Sequence, residues 1–112
     1  MKIKTRTTGK TLIVELTGEF DLVMSEEFRQ RVDGCLDKGG IVNLLLDMRK
    51  VSFIDSSGLG AIIGRYKIIN RGKGNMAIVG AGPQITKVLE FSGIKRIIDI
   101  YENERSALAD LT

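Results

Sequence analysis

An aspartate and two serines stand side by side in the segment Asp55-Ser56-Ser57-Gly58-Leu59-Gly60, between an apolar extended run and an amphipathic helix. A strand that passes directly into a helix leaves several backbone N–H groups unpaired at the start of the helix. These donors and the helix dipole stabilise a negatively charged group placed there. The segment therefore predicts a turn where a phosphate would fit.

Within this turn, Ser56 is the better predicted phosphate acceptor. If Ser57 caps the helix by accepting from the N–H of Leu59 or Gly60, Ser56 stands one residue outside with its hydroxyl free. The plain alternative is that Ser57 is only a helix cap and that Asp55 and Ser56 are polar turn residues. Whether Ser57 takes the phosphate instead of Ser56 stays open.

Two glycines inside the predicted helix, Gly60 and Gly64, also need a reason. Each costs about 1 kcal/mol of helix stability relative to alanine. We therefore expect another part of a protein to approach this backbone closely. That object is either the sheet of the same chain or a partner protein that docks on the first turns, and the sequence alone does not separate the two.

The chain lacks the side chains that most enzymes need. It has no histidine, which removes the commonest general base, the commonest metal ligand and every Ser-His nucleophile pair. The serine turn has no lysine in a P-loop pattern, and Gly80-Ala81-Gly82-Pro83 is too weak a match to a phosphate-cradling loop to support a nucleotide-binding or hydrolytic protein. We expect no enzymatic activity, no cofactor and no metal. The lone cysteine, Cys35, is predicted to pack in the core.

Size and composition point to one globular domain that spans residues 1–112. Hydrophobic residues make up 43% and charged residues 28%, which excludes a disordered chain. No apolar run reaches the roughly 18 residues that span a bilayer, and no signal peptide is visible, so we expect a cytoplasmic protein without membrane contact. The net charge of +3 is modest, and the basic residues are scattered without interleaved aromatics, which argues against direct nucleic-acid binding.

Apolar periodicity predicts the elements that must position the serine turn. Strands are expected at 11–17, 41–48, 76–79 and 97–100, with an earlier strand begun at Ile3; helices are expected at 25–38, from near 57 to the Arg71-Gly72-Lys73-Gly74 stop, from Pro83 to Ser92-Gly93, and at 103–111. Gly9-Lys10 is a predicted hairpin turn, Gly18 a predicted strand end, and Ser25 a predicted N-cap.

This order, β-β-α-β-α-β-α-β-α, predicts an α/β fold. It is a mixed, mostly parallel sheet of four to five strands with an antiparallel N-terminal edge, packed with about four helices. Ligands and partners of such sheets meet the loops that follow the carboxyl ends of the strands. Three such loops are residues 18–21, 55–58 and 80–83, and the serine turn is one of them.

Several segments together resemble the anti-sigma factor antagonists of the STAS domain family. The likeness covers nearly the whole chain, and sporulation members that act on sigma F are the most similar. It is carried by Val51-Ser52-Phe53-Ile54-Asp55-Ser56-Ser57-Gly58-Leu59-Gly60, by Gly64-Arg65-Tyr66-Lys67, by Gly18-Glu19-Phe20-Asp21 and by Phe91-Ser92-Gly93-Ile94-Lys95-Arg96-Ile97-Ile98.

The resemblance implies a protein that binds an anti-sigma factor, itself a serine kinase, and thereby frees a sigma factor. The kinase then phosphorylates the antagonist on Ser56 and releases it, and a serine phosphatase resets the cycle. The family pattern places the docking surface on Glu19 and Asp21 and on the turn residues Asp55, Ser57, Gly58, Leu59 and Gly60. A phosphate beside Asp55 and near Glu19 and Asp21 would repel or wedge off a docked partner.

Two alternatives stay open. The chain could be an unphosphorylated STAS scaffold or regulatory module of a transporter or stress-signalling complex, which would have the same fold. The sigma factor pathway is also undecided: Leu22-Val23 stand where sporulation members usually carry a histidine pair, and general-stress members share both the fold and the turn.

Overall fold

Within residues 2–111, five strands and four α-helices alternate after an opening hairpin, in the order that the apolar pattern predicts. The structure, a computed structural model, describes residues 2–111. The strands are β1 (Lys2–Thr8), β2 (Thr11–Phe20), β3 (Asn43–Ile54), β4 (Met76–Val79) and β5 (Asp99–Tyr101); the helices are α1 (Leu22–Asp37), α2 (Ser56–Arg71), α3 (Pro83–Phe91) and α4 (Glu104–Leu111).

The strands form one mixed sheet in the order β1-β2-β3-β4-β5. β1 and β2 pair antiparallel through the predicted Gly9-Lys10 turn, and the other neighbouring strands pair parallel. β3 is the central strand, as its nearly continuous apolar run predicts. The predicted fold class, an α/β sheet with an antiparallel N-terminal edge, is therefore confirmed.

The two faces of the sheet are covered unequally. On one face, buried side chains of α1, α2 and α3, such as Phe28, Ile62 and Leu89, join those of the strands in the main core. On the other face, Ala107 and Leu111 of α4 pack on Ile13 and Leu45 in a smaller cluster. The paired helices α1 and α2 therefore start side by side over the main core, at the carboxyl ends of β2 and β3.

The prediction that α1 starts with Ser25 as its N-cap is wrong. The helix begins three residues earlier, at Leu22, because the Asp21 carboxylate accepts a hydrogen bond from the Met24 N–H at 3.1 Å. Met24 is fully buried, so the apolar stripe extends one turn toward the N-terminus. The Ser25 hydroxyl is also buried and donates to the Asp21 carbonyl at 2.6 Å.

The strands that lead to the serine turn are longer than predicted. Gly18 does not end β2 but lies inside it with a φ of 109°, beside an irregularity in the register with β3. The residues after Met48, where the predicted strand ends, continue β3 to Ile54. They stay in the sheet because they pair with β2, whereas β4 pairs only as far as Asp47 of β3. Pairing between distant segments sets these ends.

Smaller differences concern the other element ends. β5 runs from Asp99 to Tyr101, after a 3₁₀ turn at Ile94–Arg96. α4 starts at Glu104, where the Asn103 side chain accepts from the Ser106 N–H at 2.9 Å. Cys35 is half-buried and packs against the main core, as predicted. In the described part of the chain, no helix combines the length and apolar character needed to cross a membrane.

Candidate functional site

The serine turn starts α2 with Asp55, not Ser57, as its N-cap. The Asp55 carboxylate accepts hydrogen bonds from the N–H groups of Ser57 at 2.9 Å and Gly58 at 3.2 Å. The predicted capping role of Ser57 is therefore wrong: aspartate is an equally good N-cap, and Asp55 comes first along the chain with an extended backbone. Ser56 becomes the first helical residue and is exposed, whereas Ser57 is half-buried.

The start of the neighbouring helix, α1, has the same kind of aspartate cap. Asp21 caps α1 just after β2, as Asp55 caps α2 just after β3. The ends of these strands are adjacent, because Phe20 pairs with Ile54 and the Asp55 N–H approaches the Phe20 carbonyl at 3.4 Å. Two aspartate-capped helix starts therefore lie side by side at the carboxyl edge of the sheet.

The fold brings the predicted docking residues together, but it gives them different environments. Glu19 is exposed at the end of β2, opposite Phe53 of β3. Asp21 is half-buried and occupied in its cap. Leu59 is half-buried and packs partly against the main core, so only part of its side chain can face a partner. Gly60 is exposed one turn after Ser56, on the same side of the helix.

The tightest contact of the turn is at Gly58, whose packing role the sequence did not reveal. An added Cβ there would lie 2.6 Å from the Phe20 carbonyl oxygen and 2.8 Å from Cγ1 of Ile54. Gly58 is buried, and α2 can start this close to the strand ends only without a side chain at this position. No local pattern distinguishes Gly58 from Gly60, since the contact depends on a distant strand.

Gly60 and Gly64, the two glycines that helix propensity singled out, have open space at the position of the missing side chain. A Cβ added to Gly60 or Gly64 would meet nothing within 4 Å. The sheet of the same chain therefore does not approach the helix backbone at these two glycines, so the structural explanation for them is wrong. The remaining explanation, a partner on the outer side of α2, stays a prediction.

A buried arginine links α1 and α2 below the two helix starts. Arg65 is only 8% exposed, and its Nε lies 3.1 Å from Oδ1 of Asp33, although the two are not aligned for a hydrogen bond. Burial lowers the pKa of Arg65, Asp33 raises it in part, and the positive charge of Arg29 lowers it further. The guanidinium thus joins the two helices through an ion pair that is poorly hydrogen-bonded.

The third predicted loop, residues 80–83, follows β4 and leads into α3. Gly80 has a φ of 70°, and the aliphatic part of Arg49 fills the space that a Cβ would need. Gly82 caps α3 without a side-chain hydrogen bond, and Pro83 occupies the first turn as predicted. Within residues 2–111, no cluster of three or more cysteine or carboxylate side chains is placed to hold a metal ion.

The mixed α/β sheet with four helices agrees with the family comparison. Residues 2–107 match the model of the STAS domain. The chain therefore belongs to the STAS domain family. The prediction of one domain with bounds 1–112 stays a prediction.

Several similar proteins are anti-sigma factor antagonists. The chain is 40% identical over 100 residues to the anti-sigma F factor antagonist of Paenibacillus polymyxa, covering 89% of this chain and 86% of that protein. The solved structure of the anti-sigma factor antagonist SpoIIAA in its unphosphorylated form superimposes with a TM-score of 0.86 at 25% identity, covering 96% and 93% of the two chains. The phosphorylated form of Bacillus SpoIIAA, at 24% identity, has the same fold with a TM-score of 0.80 over 99% of this chain and 100% of that chain.

Proposed function

We propose that this protein is an anti-sigma factor antagonist that is switched by phosphorylation of Ser56. In this function it binds an anti-sigma factor that is also a serine kinase, and so frees the sigma factor. Modification of Ser56 by the bound kinase then releases it, and a serine phosphatase restores the binding form. The protein itself catalyses nothing, binds no nucleic acid and works in the cytoplasm.

The observation that carries the proposal is the exposure of Ser56 at the first position of an aspartate-capped helix. A kinase can reach this hydroxyl without unfolding the chain, whereas Ser57 is half-buried. A phosphate at the helix start is compatible with the fold, because the helix dipole favours negative charge there. The similarity to an anti-sigma F factor antagonist supports the choice of partner.

The switch has a direct electrostatic reason. Phosphorylation adds about −1.5 to −2 charges at pH 7 to a side chain that is neutral when the partner docks. A partner packed around a neutral hydroxyl must then desolvate that charge, which also lies beside Asp55 and close to the exposed Glu19. A negatively charged group of the partner about 6 Å from the new phosphate would add a repulsion on the order of 3 kcal/mol at an effective dielectric constant of about 20, which is roughly a hundredfold in affinity.

The bare outer side of α2 supports docking at the same place. Gly60 is exposed four residues after Ser56, and no other atom of the described chain approaches the position of its missing side chain. A partner can therefore approach the helix backbone directly below the phosphate acceptor. This would explain a glycine that helix stability alone disfavours.

Phosphorylation by the host's anti-sigma factor kinase tests the proposal. The purified protein is incubated with that kinase and ATP, and the modified residue is located by peptide mass spectrometry. We expect phosphate on Ser56 in the unaltered chain and in Ser57→Ala, and none in Ser56→Ala. Phosphate confined to Ser57, or absent altogether, would contradict the proposed switch.

Binding measurements separate charge from shape. Ser56→Ala should bind the kinase but not be released by ATP, and Ser56→Asp should bind about a hundredfold more weakly. Ser56→Asn is the matched control, since it has nearly the size of aspartate without the charge. Equal affinities of the Asp and Asn variants in calorimetric titrations would remove the electrostatic mechanism.

A further inference from the structure

Two large apolar side chains at the start of α1 are exposed to solvent. Leu22 is 61% exposed and Val23 is 67% exposed, and they occupy the first two positions of the helix. The next residue, Met24, is fully buried. The main core therefore accounts for Met24 but not for the two residues before it.

The helix starts that carry Leu22, Val23 and Ser56 lie side by side. α1 and α2 follow adjacent, paired strand ends, and both pack on the same face of the sheet. Packed helices lie about 8–10 Å apart, so the first residues of α1 and α2 are separated by a similar distance. A specific interface covers on the order of 800 Å² of each partner, a disc of roughly 16 Å radius. A protein that docks over Ser56 on this scale also covers the first turn of α1.

We infer that Leu22 and Val23 form an apolar part of the surface on which the Ser56 kinase docks. This inference rests on the proposed function. The matching region of the kinase is apolar, because a charged group placed against these side chains would lose its hydration without gaining a partner.

Affinity and switching are then divided between the two helix starts. Leu22 and Val23 carry no charge, so the affinity that they supply is the same whether or not Ser56 is phosphorylated. The start of α2 supplies the part of the binding free energy that changes when Ser56 is phosphorylated. The two contributions should therefore be nearly independent and should add on a free-energy scale.

The test is a double-mutant cycle measured with the host's anti-sigma factor kinase. The combined variant Leu22→Ser and Val23→Ser should bind at least tenfold more weakly than the unaltered chain, because it removes most of the apolar area that the interface buries there. Adding Ser56→Asp should weaken binding by the same factor in both backgrounds. Serine is well tolerated in the first turn of a helix, so the fold should persist, and circular dichroism checks this.

Phe91 provides a matched control for the loss of exposed apolar area. It is 94% exposed at the end of α3, which is the end of the sheet opposite to Ser56. Phe91→Ser should change the affinity less than twofold. If the Leu22 and Val23 variant behaves like Phe91→Ser, or if the effect of Ser56→Asp disappears in that variant, the inference is wrong. An unaltered chain that binds the kinase but gains no phosphate contradicts the proposed switch alone, and one that does not bind contradicts both.

Discussion

The starts of α1 and α2 have the same kind of aspartate cap but present different surfaces to solvent. In each, an aspartate directly after a strand caps the helix, and the third helical residue is buried. That buried residue is Met24 in α1, which fills the core, and Gly58 in α2, which leaves room for Phe20 and Ile54. The cap therefore fixes where each helix begins, while the next two or three residues decide how closely the helix approaches the sheet and what it presents to solvent.

The largest expected effect comes from adding one methyl group at Gly58. Gly58→Ala places a Cβ against the Phe20 carbonyl and Ile54, so we expect it to lower the free energy of unfolding by about 2–3 kcal/mol. Gly60→Ala meets nothing within 4 Å and should raise the free energy of unfolding by about 0.5–1 kcal/mol through helix propensity. Urea unfolding measures both. Changes of the same sign in the two variants would show that the close approach of α2 is not what requires glycine.

The ion pair that joins the two helices should show an asymmetry between its partners. Asp33→Ala leaves the buried Arg65 charge without its partner, and we expect a loss of about 2 kcal/mol because the Asp33 side chain is itself 41% exposed. Arg65→Met keeps the packing volume and leaves a carboxylate that water can reach, so it should cost less than 1 kcal/mol. Thermal unfolding of the two variants makes the comparison, and equal losses would argue that packing rather than charge holds α1 against α2.

The two caps should differ by the number of hydrogen bonds that each makes. Asp55 accepts from two backbone N–H groups and Asp21 from one, so we expect Asp55→Ala to cost about 1.5 kcal/mol and Asp21→Ala about 1 kcal/mol. The matched variants Asp55→Asn and Asp21→Asn keep an acceptor and should each recover most of the loss. Urea unfolding measures these losses as shifts of the midpoint, with an unchanged slope of the unfolding free energy against urea concentration. A larger loss at Asp21 would show that its cap supports more than the first turn of α1.

Local signals predicted most of the element order but misplaced two helix starts. The Gly9-Lys10 turn, the period-two strand that follows and Pro83 at the start of α3 depend on a few neighbouring residues, and the structure has all of them. Ser25 and Ser57 were both predicted to be N-caps, although an aspartate takes the role in each helix, four residues before Ser25 and two residues before Ser57. Serine and aspartate cap with nearly equal preference, so composition alone does not choose between them.

Periodicity and turn chemistry act over short stretches of chain, so the sequence alone was enough to predict the α/β class, the mostly parallel sheet and the pair of serines at a strand-to-helix turn. Tertiary contacts set four other features: the extension of β3 along β2, the closeness of Gly58 to Phe20, the burial of Arg65 against α1 and the open side of Gly60. Each of these depends on contacts between residues that are distant in sequence. Such contacts exist only once the strands have paired and the helices have packed on them, so no local pattern encodes them.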